Sequence, residues 1–289
     1  MPGDGVRLYR CMSRLGPTSI EASCKDAVAS FHREVLGNGQ WDLLEELVAS
    51  DYRPHLPELK GSPLLQPGRD ALAARLRTAG RVPNEIHRMI GDRDMVYAHV
   101  RYPGAPTYAG ADIYRVDTQR RIAEHWCVRQ PKPHTSAQAE EWFSDAPGVE
   151  RAERIDREWA KGRVRATIEN VWMPGNAALV PEFYERSYVQ HNPDMPGGYE
   201  RIVEVVETSI RSYIERTGRE FPVTIHRIGG EGDLVFVNLS ILMAGINRND
   251  GVRSTNVDIF RVNRAGRMTE HWDVLQMEVE PVARPDVLF

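Results

Sequence analysis

The octets TEHWDVLQ (Thr269–Gln276) and AEHWCVRQ (Ala123–Gln130) lie 146 positions apart in one chain. They share glutamate, histidine, tryptophan, valine and glutamine at the same places, whereas Asp273 of the later octet is replaced by Cys127 in the earlier one. An octet this specific that occurs twice in one chain predicts an internal duplication of a whole structural unit.

Three further pairs of segments recur in the same order. They are ADIYRV and VDIFRV, IHRMIGDRDMVYAH and IHRIGGEGDLVFVN, and DYRPHLP and SYVQHNP, which begin at residues 111 and 257, 86 and 225, and 51 and 187. Their offsets of 146, 139 and 136 change in one direction, as expected if loops gained residues after a duplication. We therefore predict two homologous domains, residues 18–131 and 148–281, with the linker inside residues 132–148.

Each copy begins with helical periodicity and ends with strand-like segments. Apolar residues recur at helical spacing near the two starts: Ile20, Cys24, Ala27, Phe31 and Val35, then Val164, Ile168 and Val171. The later part of each copy is rich in β-branched and aromatic residues and is interrupted by turn residues. Helices followed by an antiparallel meander predict an α+β fold class for both domains.

The composition excludes several classes of protein. With 289 residues, 41% hydrophobic residues, 27% charged residues and a net charge of −4, the chain has no basic surplus to hold nucleic acid. It contains no apolar run long enough for a signal peptide or a membrane span, so we expect no membrane association. The three cysteines have no metal-ligand spacing and cannot all pair, which favours a reducing cytoplasm.

The segment STNVDIFRVNRAGRMTEHWDVLQ, which ends at Gln276, predicts a hairpin with the four-residue turn Asn263–Gly266. The expected cross-strand pairs are Asp258 with His271, Asn256 with Asp273 and Phe260 with Thr269. Alternation places all six side chains on one face, and places Arg261, Glu270 and Trp272 on the other. Such a polar face is either the lining of a pocket or a wet surface with a weak exposed ion pair.

Together, YVQHNP, HRIGGEGDLVFV, VDIFRV and GRMTEHWDVLQ resemble the SnoaL-like proteins of the NTF2-like superfamily, especially the polyketide-cyclase-like and aldol-condensation-like subgroup. The resemblance covers nearly all of the second copy and most of the first. It implies two NTF2-like (cystatin-like) cones, each a curved antiparallel sheet wrapped around N-terminal helices. It also implies that the two cones pair as an intramolecular pseudo-dimer, and it leaves a further homodimer open.

The same resemblance implies a cofactor-independent reaction on a small hydrophobic ligand that contains a carbonyl group. Asp273 is then the expected general base, assisted by an oriented pair of His271 and Asp258. We expect the pocket to be completed by His191, Asn192, Gln190, Asn238, Asn256 and Phe260. Asp258, His271 and His191 could in principle bind one metal ion, but no local ligand spacing supports this, so we expect no metal.

The first copy retains part of this pattern. Its equivalent residues are His55, His99, Asp112, His125 and Cys127, and His99 stands where the second copy has Asn238. Without an equivalent of Asp273, this domain is expected to be altered or mainly structural.

Two functions from different classes remain open at this stage. One is an aldol-type cyclase, lyase or isomerase that works in the C-terminal pocket. The other is a non-catalytic ligand-binding or assembly protein with the same fold, because a fold alone does not determine function.

Overall fold

The computed structural model describes residues 20–55, 66–104, 107–131, 140–149, 151, 155–192, 195–242 and 253–277. Within these residues the chain forms two α+β units with the same order of elements. No helix among them is long and apolar enough to cross a membrane.

The first unit has three α-helices: α1 (Ile20–Ser30), α2 (Leu44–Leu47) and α3 (Arg69–Ala79). Its five strands are β1 (Val48–His55), β2 (Glu85–Asp92), β3 (Met95–Tyr102), β4 (Tyr108–Val116) and β5 (Ile122–Pro131). Helix α1 continues without a break as a π-helical segment, Phe31–Gly37. The predicted order of helices before a meander is therefore present.

The second unit repeats this plan. Its helices are α4 (Arg157–Thr167), α5 (Val180–Phe183), α6 (Tyr199–Val205) and α7 (Arg211–Thr217). Its strands are β6 (Tyr184–Gln190), β7 (Val223–Glu231), β8 (Leu234–Leu242), β9 (Arg253–Val262) and β10 (Met268–Met277). Asp156 caps α4, because its side chain accepts a hydrogen bond from the amide of Trp159.

Each sheet is mixed rather than purely antiparallel, which corrects the sequence prediction. The strand orders are β1-β5-β4-β3-β2 and β6-β10-β9-β8-β7. Among the described strands, only β1 and β6 run parallel to their neighbours, β5 and β10. These two strands come before the strand-like segments that the sequence indicated. Their brevity and polarity hide the strand pattern, whereas the meanders that follow are long and apolar.

The helices pack on the inner face of each sheet, where two separate apolar cores form. Val237, Phe260 and Val262 contribute the sheet side of the second core, and Tyr184 and Tyr188 of β6 close it. The result is two NTF2-like cones. The boundaries 18–131 and 148–281 include undescribed residues and stay a prediction.

The predicted register of the last hairpin is wrong, although the predicted faces are right. The loop is one residue longer than expected, with Val262 opposite Met268, and a bulge at Thr269 adds a second residue. Asp258 therefore faces Asp273, and His271 faces Phe260. A shift of two residues keeps every side chain on its face, whereas a shift of one would have reversed them.

The outer faces of the two sheets pack against each other through an apolar cluster. Members from both units are fully or nearly fully buried there: Ile90, Tyr97, Ile113, Trp126, Phe236, Val257, Ile259, Trp272 and Val274. Trp142 and Phe143, from the segment between the units, belong to the same cluster. Gly229 is required at this contact, because a Cβ atom there would lie 2.2 Å from Cε2 of Tyr97.

Hydrogen bonds across the contact come in reciprocal pairs. The amide of Leu275 donates to Oε1 of Gln130 at 2.8 Å, and the amide of Arg129 donates to Oε1 of Gln276 at 2.9 Å. Gln130 and Gln276 occupy the same place in the two octets. Such reciprocal hydrogen bonds are typical of an isologous interface between two copies of one domain. They favour the pseudo-dimer that the family resemblance implies, and the pseudo-dimer itself stays a prediction.

Trp142 fixes the connecting segment to the second sheet, because it is fully buried and its Nε1 donates to the carbonyl oxygen of Asp273 at 2.8 Å. We expect Trp142→Ala to lower the free energy of unfolding by about 3–5 kcal/mol, measured by urea denaturation. The control Trp159→Ala removes a tryptophan that is 42% exposed and should change stability by only about 0.5 kcal/mol. Equal losses in the two variants would contradict this role.

Candidate functional site

Two carboxylates meet on the inner face of the C-terminal cone. Asp258 on β9 and Asp273 on β10 are direct cross-strand partners, which we call the acid pair. Asp273 is 7% exposed, and the side chain of Asp258 is 17% exposed. The strand alternation that turns Trp272 outward turns both carboxylates inward.

The imidazole of His271 lies beside the acid pair. Its Nε2 is 4.0 Å from Oδ1 of Asp258, which is outside hydrogen-bonding distance. This Nε2 atom has no hydrogen-bond partner among the described residues. The ring stacks on Phe260 with centroids 4.5 Å apart. Its Nδ1 lies 2.9 Å from Nε2 of Gln190, so the ring is held with Nε2 directed toward the carboxylates.

The end of β6 supplies the two amide side chains predicted for the pocket. Gln190 binds His271, and Nδ2 of Asn192 donates to Oδ2 of Asp273 at 2.9 Å. Asn256 also lies on the inner face, where it pairs with Leu275 rather than with Asp273. The structure therefore brings together seven of the nine predicted C-terminal residues.

Burial and like charge control the protonation of this cluster. Burial, followed by the nearby charge of Asp273, raises the pKa of Asp258 well above its usual value. Burial lowers the pKa of His271 to about 3, so the imidazole is neutral at ordinary pH. Asp273 accepts a hydrogen bond from Nδ2 of Asn192. The two carboxyl groups therefore have different surroundings.

The acid pair and His271 also satisfy the distance requirement for a cation site. One ligand atom from each of Asp258, His271 and Asp273 lies within 4.8 Å of the others. This set differs from the metal set considered from the sequence, because His191 is elsewhere.

His191 and Asn238 lie on the outer face, away from the acid pair, so the structure does not bring them together with the other predicted residues. His191 stacks on Trp272 at 4.7 Å and bonds the backbone oxygen of Glu141 and the carboxylate of Glu270. Its role is thus to fix the connecting segment. Asn238 shares the face of its partner Val257 and accepts a hydrogen bond from Arg227.

In the first cone, His55 and His99 also lie on the outer face, because of strand alternation. His55 stacks on Trp126 at 4.5 Å and binds Glu124 at 2.8 Å. His99 is fully buried on the outer face, where its Nδ1 lies 3.2 Å from Arg88. The sequence could not separate the faces here, because β1 lacks a clear strand pattern and no local motif fixes the register of β3.

The inner face of the first cone holds a closed polar network around Asp112. Oδ1 of Asp112 accepts from His125 and from Arg129, each at 2.7 Å, and Oδ2 accepts from the hydroxyl of Tyr102 at 2.5 Å. Burial alone would raise the pKa of Asp112, but Arg129 and His125 bring it well below its usual value. Asp112 is therefore a permanently charged, fully bonded group.

Cys127 faces Asp112 across the strands, in the place that Asp273 takes in the second cone. Burial raises the pKa of its thiol to about 11, so the thiolate needed for nucleophilic attack is disfavoured. The first cone thus lacks both a free base and an activated nucleophile at the equivalent positions.

Arg129 and Tyr102 were missed from the sequence, although one signal was available. Arg129 stands within the repeated octet where the second copy has Leu275. A charged residue gained or lost inside an otherwise repeated motif indicates a changed site. Tyr102 gave no such signal, because it lies outside the matched segments.

This fold, with an acid-lined cone, is that of an NTF2-like protein. A sequence model described as a SnoaL-like domain matches residues 28–125 and again residues 164–271, most of the chain. The chain therefore belongs to the SnoaL-like family and carries the domain twice.

Several solved structures are similar to parts of the chain. TsrD from Streptomyces laurentii is 16% identical over 43% of this chain and 92% of that one, with a TM-score of 0.33. An NTF-2 like protein from Burkholderia xenovorans is 15% identical over 44% and 97%, with a TM-score of 0.35. An LEH-like epoxide hydrolase from M. tuberculosis is 20% identical over 37% and 79%, with a TM-score of 0.31. A search of curated proteins found no match.

Burying the acid pair should make the fold less stable as pH rises. The pKa of Asp258 is higher in the folded than in the unfolded chain, so folding takes up a proton above the usual value of 3.8. We expect Asp258→Asn to raise the melting temperature near pH 7 and to have little effect near pH 3, where both states of Asp258 are protonated. The exposed control Asp51→Asn should show no such pH-dependent gain. A lower melting temperature for Asp258→Asn near pH 7 would contradict the expectation.

Proposed function

We propose that the C-terminal cone is an acid–base site that acts on a small carbonyl compound, as an aldol-type cyclase, lyase or isomerase that needs no cofactor. The observation that supports this most directly is the buried acid pair with His271 directed at it. Paired groups whose environments drive their protonation apart are typical of proton-transfer sites. The SnoaL-like family, whose resemblance to this chain extends to polyketide cyclases, supports the same class of reaction.

The geometry suggests a division of roles within the acid pair. Asp273 accepts a hydrogen bond from Asn192, which favours its anion, so it is the proposed base that removes a proton from the carbon next to the carbonyl. Asp258, whose pKa is raised, is the proposed acid that donates a proton to the developing enolate oxygen. As the new bond forms, the enol hydroxyl returns its proton to Asp258, and the proton held by Asp273 passes to the new alkoxide of the product, so both carboxyl groups regain their starting states.

His271 is proposed to orient the substrate rather than to remove a proton. Its low pKa keeps the ring neutral. In the tautomer where Nδ1 accepts from Gln190, the Nε2–H group can donate a hydrogen bond to the same carbonyl oxygen. The aromatic face of Phe260 fixes the plane of the ring.

The rival proposal is a non-catalytic ligand-binding or assembly protein. The large apolar contact between the sheets would suit an assembly role, but it is occupied inside this chain. A third possibility is epoxide hydrolysis, which needs a water activated by a carboxylate and, in relatives with that activity, usually an arginine between acidic partners. It is less supported, because Arg261 lies on the outer face, bound to Glu270 and Asp233, and cannot assist the acid pair.

We expect Asp273→Asn to reduce kcat by about 10²–10⁴-fold, because an amide cannot accept the proton, while substrate affinity is retained. The substrate is to be found by screening diketide and polyketide-like ketones with the wild-type chain and mass spectrometry. Asp51→Asn, on the exposed side of β1, serves as the control with unchanged turnover. Full activity in Asp273→Asn would refute the assignment of the base.

A further inference from the structure

The two cones balance the charge of the buried aspartate in different ways. In the first cone, the guanidinium of Arg129 lies against Asp112 and 4.2 Å from the ring centroid of Tyr102. In the second cone, Leu275 takes the place of Arg129, and a second acid, Asp273, takes the place of Cys127. One cone thus contains an internal cation, and its copy has gained a carboxylate and lost that cation.

In each cone, the residue opposite Arg129 or Leu275 is matched to it in size. Gly110 lies opposite Arg129 in the first cone, and a Cβ atom there would lie 2.9 Å from Nη1 of Arg129 and 2.6 Å from Tyr102. In the second cone, the equivalent residue Asn256 lies opposite Leu275. The residue opposite the guanidinium in the first cone has no side chain, whereas its equivalent in the second cone carries a side-chain amide.

Asn256 presents a buried hydrogen-bond acceptor without a matching donor. Asn256 is 4% exposed, and within the described part of the chain its Oδ1 has no hydrogen-bond partner. It lies two residues before Asp258 on the same strand and the same face. The charged group that acts most on buried Asp258 is another carboxylate, Asp273, and no described arginine or lysine contributes there. A buried acceptor without a donor is unfavourable unless a ligand or water supplies one.

We propose that the C-terminal cone binds the cationic end of its ligand, a guanidinium or ammonium group, where the first cone holds the guanidinium of Arg129. The cation donates hydrogen bonds to the acid pair and to Oδ1 of Asn256. This proposal rests on the proposed function and narrows its substrate to a carbonyl compound that carries an organic cation. It assigns Asn256 and Leu275 as the residues that determine specificity.

The test is binding of propylguanidinium, which reproduces the end of an arginine side chain, to the full chain by isothermal titration calorimetry. The wild type should bind one equivalent, and sodium chloride of equal ionic strength should give no heat. Asp258→Asn/Asp273→Asn should lose at least about tenfold in affinity, because two neutral amides replace the acid pair. Equal binding by this variant and the wild type would overturn the proposal, as would binding of MnCl₂ without binding of propylguanidinium.

Two further variants give one cone the side chains that the other cone has at the equivalent positions. Asn256→Gly/Leu275→Arg should place an internal guanidinium on the acid pair, abolish propylguanidinium binding and raise the melting temperature. Arg129→Leu should open an equivalent site against Asp112 and raise the stoichiometry from one to two. Unchanged binding in Asn256→Gly/Leu275→Arg, when circular dichroism shows it folded, would place the cation elsewhere and refute the assignment.

The binding measurement separates this inference from the proposed reaction. If the wild-type chain binds propylguanidinium but turns over no substrate, the catalytic proposal alone is refuted. Turnover of neutral ketones without any propylguanidinium binding would refute the cation site alone.

Discussion

Strand alternation is the constraint on which the rest of this structure depends. Along β9 and β10, successive side chains point to opposite faces, so the same ten-residue strands must serve two environments. Val257, Ile259 and Trp272 build the contact between the sheets, while Asp258 and His271, one position away, line the cone. Neither set can change its spacing without disturbing the other, because a single-residue slip exchanges the two faces.

The two copies of the domain surround a buried carboxylate in different ways. An unpaired buried charge is strongly unfavourable, so each aspartate requires a partner. In the first cone, Arg129, His125 and Tyr102 satisfy Asp112 completely and leave a stable, closed interior. In the second cone, Asp258 faces Asp273 instead, and burial together with the charge of Asp273 raises the pKa of Asp258. If the proposed function is right, this is the familiar relation in which an enzyme site lowers the stability of its fold.

The sequence predicted the fold and the central site because both depend on long, regular patterns. The repeat and the alternation of β9 and β10 placed Asp258, His271 and Asp273 on one face, and the structure agrees. The cross-strand pairs were wrong because a longer turn and the bulge at Thr269 depend on backbone conformations that no local pattern displayed.

His191, Asn238, His55 and His99 were assigned to pockets because they are polar residues near the motif. Their faces could be determined only from the parallel strands β1 and β6 and from the meander registers. These strands join the sheet through distant residues, so their pairing is a tertiary property. Gln190 and Asn192 do lie beside the acid pair, since the end of β6 reaches His271 and Asp273 on the inner face.

The hydrogen bond from Trp142 to the backbone of Asp273 makes the connecting peptide part of the second sheet's packing. A chain that held only the later half would expose the outer surface of that sheet, with Trp272 and Val274, to water. We therefore expect each half to need the other in order to remain stable and monomeric.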